Sequence, residues 1–383
     1  MAKLGQRKSD AKVHISMRVE TRRLTPEHLC NISDTDARIF FENATWKKRG
    51  YQVCWRCKLA AKHYKLANGR YKCRNKKCRH VFSVLSGTIF RHNRIGYARL
   101  LRAILTFAIH RCGCNAILLS HTINIEYKNA FVLLHKIRSA IVLTVPEAPL
   151  EGLIHVDGGH FSGRRRKPAR KKRKSDPKTP RKYQKGLRAR VPAYAAPFHP
   201  NRRIVMVFRS VGDKGRGAVS TRVAIVKSEN APDAEALANL FIEKGSTVYT
   251  DEWKAYSRYK LMGYIHETVN HQIEWVSPTG VNENQAESFF SRMRSAEKGI
   301  HRRMSPHHML AYACEMAWRE DNRKFNNLKL VQEICRKAAD AGPSRDWGKS
   351  YSRGPKHGGQ RKTKESLFPG VEATPWFNRN RDD

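Results

Sequence analysis

The chain has 383 residues, enough for two or three domains, and its 75 Lys+Arg against 33 Asp+Glu give a formal charge of +42. A surface this positive repels itself unless it meets a polyanion, and nucleic acid is the commonest one; a membrane is disfavoured because no apolar run of about 18 residues and no lipidation signal is present. The N-terminus, MAKLGQRKSD, lacks the apolar core of a secretory signal, so the 9 cysteines are read as intracellular thiols of a cytoplasmic, nucleoid-associated protein, not as a disulfide framework.

In chain order, residues 1–33 form a polar N-terminal extension. Residues 34–46 (DTDARIFFENATW) read as a short helix that opens a unit, 34–92, holding the paired cysteines. From 93 to 145 apolar residues recur at helical spacing: Leu100, Leu101, Ile104, Leu105 and Ala108, then Ile117, Leu118 and Leu119, then Ala130, Leu133, Leu134 and Ile137. Pro146 and Pro149 break this stretch as an interdomain boundary. The period then changes. Residues 152–157, 204–211, 221–229 and 246–253 read as strands, and 233–244, 283–296 and 306–323 as helices. That order suits an α/β layer architecture over 150–325. Residues 326–383 are expected to form a basic C-terminal tail.

Cys54-Trp-Arg-Cys57 is followed, after fifteen intervening residues, by Cys73-Arg-Asn-Lys-Lys-Cys78. Two cysteine knuckles on separate hairpins supply the four soft, tetrahedral ligands that zinc requires without needing a large core. The bland alternative is four ordinary buried thiols, which are seldom grouped on so polar a stretch. Four thiolates leave no open position, so zinc here is expected to be structural. His63 and His80 are expected on the surface, not among the ligands. Basic residues interleave the knuckles and point to contact with DNA, although a protein partner stays open.

A helix, a short turn at 122–125 and a second helix from Glu126 resemble a helix-turn-helix. The second helix would bring Tyr127, Lys128, His135 and Arg138 to a DNA groove; a plain helical hairpin is the alternative. Residues 164–190 contain 15 Lys or Arg in 27 positions, among them Arg164, Arg165, Arg166, Lys171, Lys172 and Arg173. So basic a segment cannot bury a core. It reads either as a solvated loop or as a phosphate-contacting arm.

Three acids stand out in a chain with few. Asp157 and Asp251 each end an apolar strand, and Glu287 lies in a helix with 35 residues between it and Asp251. Individually each has a dull explanation, as a turn residue or a helix-surface residue. Together they form the set that phosphoryl transfer on DNA needs, because converging carboxylates can hold two divalent cations about 4 Å apart. Asn284, one turn before Glu287, and Arg294, two turns after it, share that face and suit a DNA phosphate.

These segments resemble the zinc-ribbon DDE transposases of bacterial insertion sequences, the IS fifteen-ninety-five or ISXO-like family. Trp46 and CRHVFSVLSGTIF (78–90) are similar to the family's ribbon; HVDGGHFSG (155–163), YTDEWKAY (249–256) and VNENQAESFFSRMR (281–294) are similar to its three acidic segments. The resemblance implies a ribonuclease H-like core, a mixed sheet flanked by helices, with Asp157, Asp251 and Glu287 holding Mg²⁺ or Mn²⁺. It also implies cleavage and strand transfer on double-stranded DNA, transposon ends and target alike, by a homodimer or larger assembly. Gly158 departs from the pattern, standing where the family often has an acid, and Asn282 stands where it often has His. Rival readings are a catalytically silent DNA-binding protein derived from a transposase, a ribonuclease H-like nuclease without strand transfer, and an RNA-binding protein suggested by charge alone.

Overall fold

The computed structural model describes residues 23–46, 51–161, 203–212, 217–226, 229–269, 284–302, 304–305, 308–344 and 347. Helix α1 (Pro26–Leu29) precedes α2 (Asp34–Thr45). Ser33 starts α2, its hydroxyl accepting the Asp36 backbone N–H at 3.1 Å. The cysteine region is built from five two-residue strands: β1 (Gln52–Val53), β2 (Ala60–Ala61), β3 (Tyr64–Lys65), β4 (Tyr71–Lys72) and β5 (Val81–Phe82). Strands β1 and β2 pair antiparallel, as do β3, β4 and β5. Trp46 seats this small unit on α2 by packing edge-on against Tyr71 and Phe82 at ring distances of 5.2 and 6.3 Å.

Three helices follow: α3 (Tyr97–Ile109), α4 (Ala116–Ile123) and α5 (Tyr127–Leu143). Asn115 caps α4, and Asn124 ends it in the left-handed region at φ 51°. The larger sheet holds β6 (Leu153–Phe161), β7 (Arg203–Val211), β8 (Ala218–Val226), β9 (Thr247–Asp251) and β10 (Ile265–Val269), in the order β10-β9-β6-β7-β8. Strands β6, β7 and β8 are antiparallel in sequence, whereas β9 runs parallel to β6 and β10 parallel to β9. Helix α6 (Ala231–Phe241) is the crossover between β8 and β9, and α7 (Asn284–Ser295), α8 (Met309–Asp321) and α9 (Asn327–Asp340) complete the described chain.

Strand alternation divides the sheet into two faces. Ile154, Val156, Ile204, Met206 and Phe208 pack with Leu237, Phe241 and Tyr256 on the α6 side. Phe161, Val205, Val207, Val223 and Ile225 pack with Phe289, Phe290 and Met293 of α7 on the other. Because both faces are covered, β7 reads as an almost unbroken apolar run.

The α7-side core continues into α2, α3, α4 and α5 without a break. Helix α8 explains this. It is buried from Met309 to Glu320 on nearly every side, lying between β8 and α5. The boundary at Pro146 and Pro149 is therefore a chain crossover, while packing runs across it. Helix α9 falls in the stretch expected as a tail. Its Leu330, Val331, Ile334, Cys335 and Ala338 are buried against α2, α3 and α5, so 327–340 belongs to the body of the protein.

Candidate catalytic centre and thiol cluster

The sheet sets the first two acids side by side. Asp157 lies on β6 opposite Val207 of β7. The parallel β6–β9 register pairs Leu153 with Thr247, Ile154 with Val248 and His155 with Tyr249. Asp157 and Asp251, the last residue of β9, each lie two residues beyond the last pair of this ladder and on the same face of the sheet. Neighbouring strands lie about 4.8 Å apart, within reach of a shared cation pair. Asp157 Oδ1 accepts the Gly158 N–H at 2.6 Å, and Asp251 Oδ1 accepts the Trp253 N–H at 3.0 Å, so backbone donors orient both carboxylates.

Helix α7 lays Glu287 over the same face. Its start is fixed where Arg209 donates to the Gln285 carbonyl at 2.6 Å, and Arg209 pairs in register with His155. Further along, the Phe290 ring fills the space above Gly159 that a side chain would take. Glu287 lies in the chain between those two anchor points, and Asp157 and Gly159 point to the same side of β6. Asn284 and Arg294 are both exposed at the two ends of α7. The Arg294 guanidinium lies 6.0 Å from the Phe161 ring, at the end of β6. The all-oxygen donor set of Asp157, Asp251 and Glu287 suits a hard cation such as magnesium.

Two further residues that sequence patterning does not mark lie near Asp157 and Asp251. Glu229 follows β8, which ends at Val226, short of the expected strand end at 229. Its carboxylate lies against Gly158, 2.5 Å from where a Cβ there would be. The Tyr256 hydroxyl donates a hydrogen bond to Glu229 Oε1. Burial pushes the Glu229 carboxyl up to about 7; the Tyr256 hydroxyl opposes that, and the charges of Asp157 and Asp251 add to it. Trp253, 55% exposed, donates its indole N–H to the Glu229 carbonyl at 3.3 Å.

The four predicted thiols converge. Cys57 and Cys73 sulfurs lie 3.5 Å apart, Cys54 and Cys78 sulfurs 3.9 Å, and all four lie within 4.8 Å of one another. Four sulfurs ~2.3 Å from one zinc stand about 3.8 Å apart, so the cluster has the size a zinc ion requires. In each knuckle the residue after the second cysteine turns left-handed, Lys58 at φ 60° and Arg79 at φ 41°. The turn over Asn75 absorbs the longer second knuckle, with the Cys78 and Arg79 N–H groups both donating to the Asn75 carbonyl. His63, expected on the surface, is buried at 8% exposure, accepting the Arg74 N–H at 3.1 Å and packing on Phe82. It braces the two knuckles from outside the thiol cluster.

The cationic candidates separate into different places. Tyr127 and Lys128 are exposed on the first turn of α5, and Ile117 and Leu118 are exposed on α4. Arg138 and His135 are each 1% exposed. Arg138 donates to Glu315 Oε2 at 2.6 Å and to the Cys114 carbonyl at 3.1 Å, so it is a buried structural residue and leaves the set of DNA contacts. Burial opposes the charge of Glu315, but Arg138 and Arg319 hold its carboxyl down to about 2. Arg164, Arg165, Arg166, Lys171, Lys172 and Arg173, with the rest of the 164–190 arm, lie outside the described residues, as does Asn282. Around the ribbon, a cavity of about 340 Å³ is lined by Trp55, Arg70, His80, Arg91, His92 and Tyr97. Burial, with the charges of Arg56, Arg91 and Arg70, lowers the pKa of His80 there.

No helix among the described residues is long and apolar enough to cross a membrane. No curated protein matches the chain. Residues 149–321 match the family model of the ISXO2-like transposase domain, an interval that holds Asp157, Asp251, Glu287 and Arg294 together. Over residues 149–321, the chain is thus similar to the ISXO2-like transposase domain.

Proposed function

We propose that the protein is a DNA transposase that grips transposon-end DNA with its ribbon and helical region and cuts and joins DNA at Asp157, Asp251 and Glu287. The observation that carries this reading is the parallel β6–β9 register, which ends at His155 and Tyr249, two residues before Asp157 and Asp251 on the sheet face toward α7. In sequence order the strands of the sheet run 3-2-1-4-5, with the first three antiparallel and the fourth parallel to the first. That topology supports a ribonuclease H-like core.

Asp157, Asp251 and Glu287 would hold a pair of Mg²⁺ or Mn²⁺ ions. Such a pair, when bound, favours ionisation of the attacking oxygen and stabilises charge on the leaving one. The chain itself orients. The N–H groups of Gly158 and Trp253 fix the two aspartates on their strands, and the packing of Phe290 on Gly159 fixes the helix that carries Glu287. Arg294 and Asn284 are exposed on that helix, where they would bind phosphates flanking the scissile one. A water first attacks the phosphodiester at the transposon end and frees a 3′-OH. That 3′-OH then attacks target DNA in line.

DNA capture is assigned to the ribbon, folded around a structural zinc at Cys54, Cys57, Cys73 and Cys78, and to Tyr127 and Lys128. Arg56, Arg70 and Arg91 add positive field at the ribbon. The basic 164–190 arm follows β6 and precedes β7, so its chain starts just beyond Asp157. Two ends must be brought together, which calls for at least a homodimer on DNA. The test is a strand-transfer assay with end DNA and Mg²⁺. Joined product from wild type and none from Asp157→Ala supports the reading. End binding without any Mg²⁺-dependent cleavage would make the protein a silent DNA-binding relative.

A further inference from the structure

We infer that the cavity between the ribbon and the start of α3 is a pocket for a backbone phosphate of DNA, with Arg70 and Arg91 as its cations. This rests on the reading that the ribbon takes part in DNA capture.

The walls come from three parts of the chain and border about 340 Å³. Asp34 opens α2. Trp55, Arg70 and His80 belong to the ribbon, the last two placed just before β4 and β5. Arg91 lies on the segment that leads into α3. Asp34 is the one acid among the described lining residues, and it is committed elsewhere. Helix α3 starts at Gly96, which has no side chain to cap it, and Asp34 Oδ1 accepts the Ala98 N–H at 2.8 Å. The carboxylate thus serves as the missing cap, where a negative charge suits the helix start. Arg70 and Arg91 form no ion pair among the described residues.

The other polar groups of the wall have hydrogens to give. The Arg91 guanidinium lies 4.5 Å from the Trp55 ring centre, a contact that positions it and leaves its N–H groups available. Trp55 is itself held, because its Cβ fills the space that a side chain at Gly87 would take. Its indole N–H donates to His80 Nε2 at 2.9 Å. An indole only donates, so Nε2 accepts and Nδ1 carries the proton of the His80 ring. That N–H has no partner among the described residues. The Ser83 and Ser86 hydroxyls lie 3.3 Å apart, and Ser86 Oγ also accepts the Ser83 N–H at 3.0 Å. One hydroxyl proton joins the pair, and the other remains to donate. Two guanidinium forks, a ring N–H and a hydroxyl proton match an anion with several acceptor oxygens. In a chain of charge +42 that reads as a DNA-binding protein, the phosphate of the DNA backbone is that anion. Held at this junction, it would fix the ribbon against the helical region that carries Tyr127 and Lys128.

The experiment measures binding of zinc-loaded, full-length protein to a mixed-sequence DNA duplex over a range of salt. Zinc content and melting temperature are recorded alongside. Arg70→Gln with Arg91→Gln should weaken binding roughly 10-fold. The log–log salt slope should become shallower by about 0.9, the share of one phosphate. Zinc content should match wild type, and the loss should be equal on a second duplex of different sequence, because a phosphate contact reads no bases. Arg70→Lys with Arg91→Lys should restore the slope. Unchanged affinity and slope in the Gln pair, with Cys57→Ser still weakening binding, would overturn the inference and leave the ribbon's part in DNA capture standing. Wild-type binding by Cys57→Ser would remove the ribbon from DNA capture, and the inference with it. Lost zinc in the Gln pair would make the two arginines supports of the thiolate cluster, against the inference. Inorganic phosphate that raises the melting temperature of wild type but not of the Gln pair, with equal DNA binding by both, would make the cavity a site for free anions and also overturn it.

Discussion

Arg138 Nε donates to Glu315 Oε2 at 2.6 Å, and both side chains are almost wholly buried. This ion pair joins α5 to α8, the helix that also covers β8. Arg319 completes it from the next turn of α8, 2.7 Å from Glu315 Oε1. Removing one partner strands a buried charge, which costs about 3–5 kcal/mol. Arg138→Met and Glu315→Ala should each lower the melting temperature sharply. A double variant should cost less than the sum of the two. Additive losses in a double-mutant cycle would show that the two side chains are not coupled.

His135 lies against Phe131, Trp347, His308 and Tyr312, with ring centroids at 4.4 to 5.7 Å. Burial, then Arg138, His308 and His301, hold its pKa well below 6.5. The folded protein therefore keeps His135 neutral where the unfolded chain takes up a proton. Stability contributed this way is full above the unfolded value and is lost as pH falls below about 6.5. Glu315, held down to about 2 by Arg138 and Arg319 against its burial, acts in the same direction at lower pH. Melting temperature should fall from pH 7 to pH 5. In His135→Phe, which keeps a ring in the aromatic cluster, that slope should be shallower; an unchanged slope would show that His135 contributes nothing to it.

Zinc removal has a local and a wider consequence. The five strands of the ribbon are two residues each and bury little, so the thiol cluster is their main support. One zinc per chain should be found by metal analysis. A strong chelator should release it, disorder the ribbon and reduce end-DNA affinity, while the β6–β10 sheet keeps its circular-dichroism signal. A Cys57→Ser protein should behave like chelated wild type. Retention of full zinc by that variant would contradict the assignment.

Exposed and buried cations should separate in DNA binding. Lys128→Ala should weaken end-DNA binding without changing the melting temperature. Replacing Arg164, Arg165 and Arg166 by Ser should make the dependence of binding on salt shallower, by about 0.9 in the log–log slope for each phosphate no longer neutralised. Arg138→Met should leave that slope alone and act through stability instead. A salt slope that changes for Arg138→Met but not for the arm variant would reverse the assignment made from burial.

Much of the architecture was legible because its periods are clean. The apolar runs of β6, β7 and β8 and the helical stripes of α3 and α5 announce themselves. The cysteine spacing alone predicts a cluster, and the thiols do converge. Four features were hidden for physical reasons. Helix α9 lies in a polar stretch, and its narrow apolar stripe shows only once α2, α3 and α5 are there to receive it. The face of α5 that meets α8 is not written in α5, because the partner of Arg138 is 177 residues away. Glu229 reads as the end of a strand. Its carboxylate fills the space that a side chain at Gly158 would take, a relation across the fold that its own stretch of sequence does not carry. The edge strand β10 also escapes the sequence pattern, because it is short and largely exposed and so carries no apolar run.

The central claim is that Asp157, Asp251 and Glu287 act together on DNA. Its most direct test is cleavage of candidate transposon-end DNA with Mg²⁺, comparing wild type with Glu287→Ala and Asp251→Ala. The account predicts a freed 3′-OH with wild type only, and near-normal end binding by all three proteins. Cleavage by Asp251→Ala at the wild-type rate would contradict it.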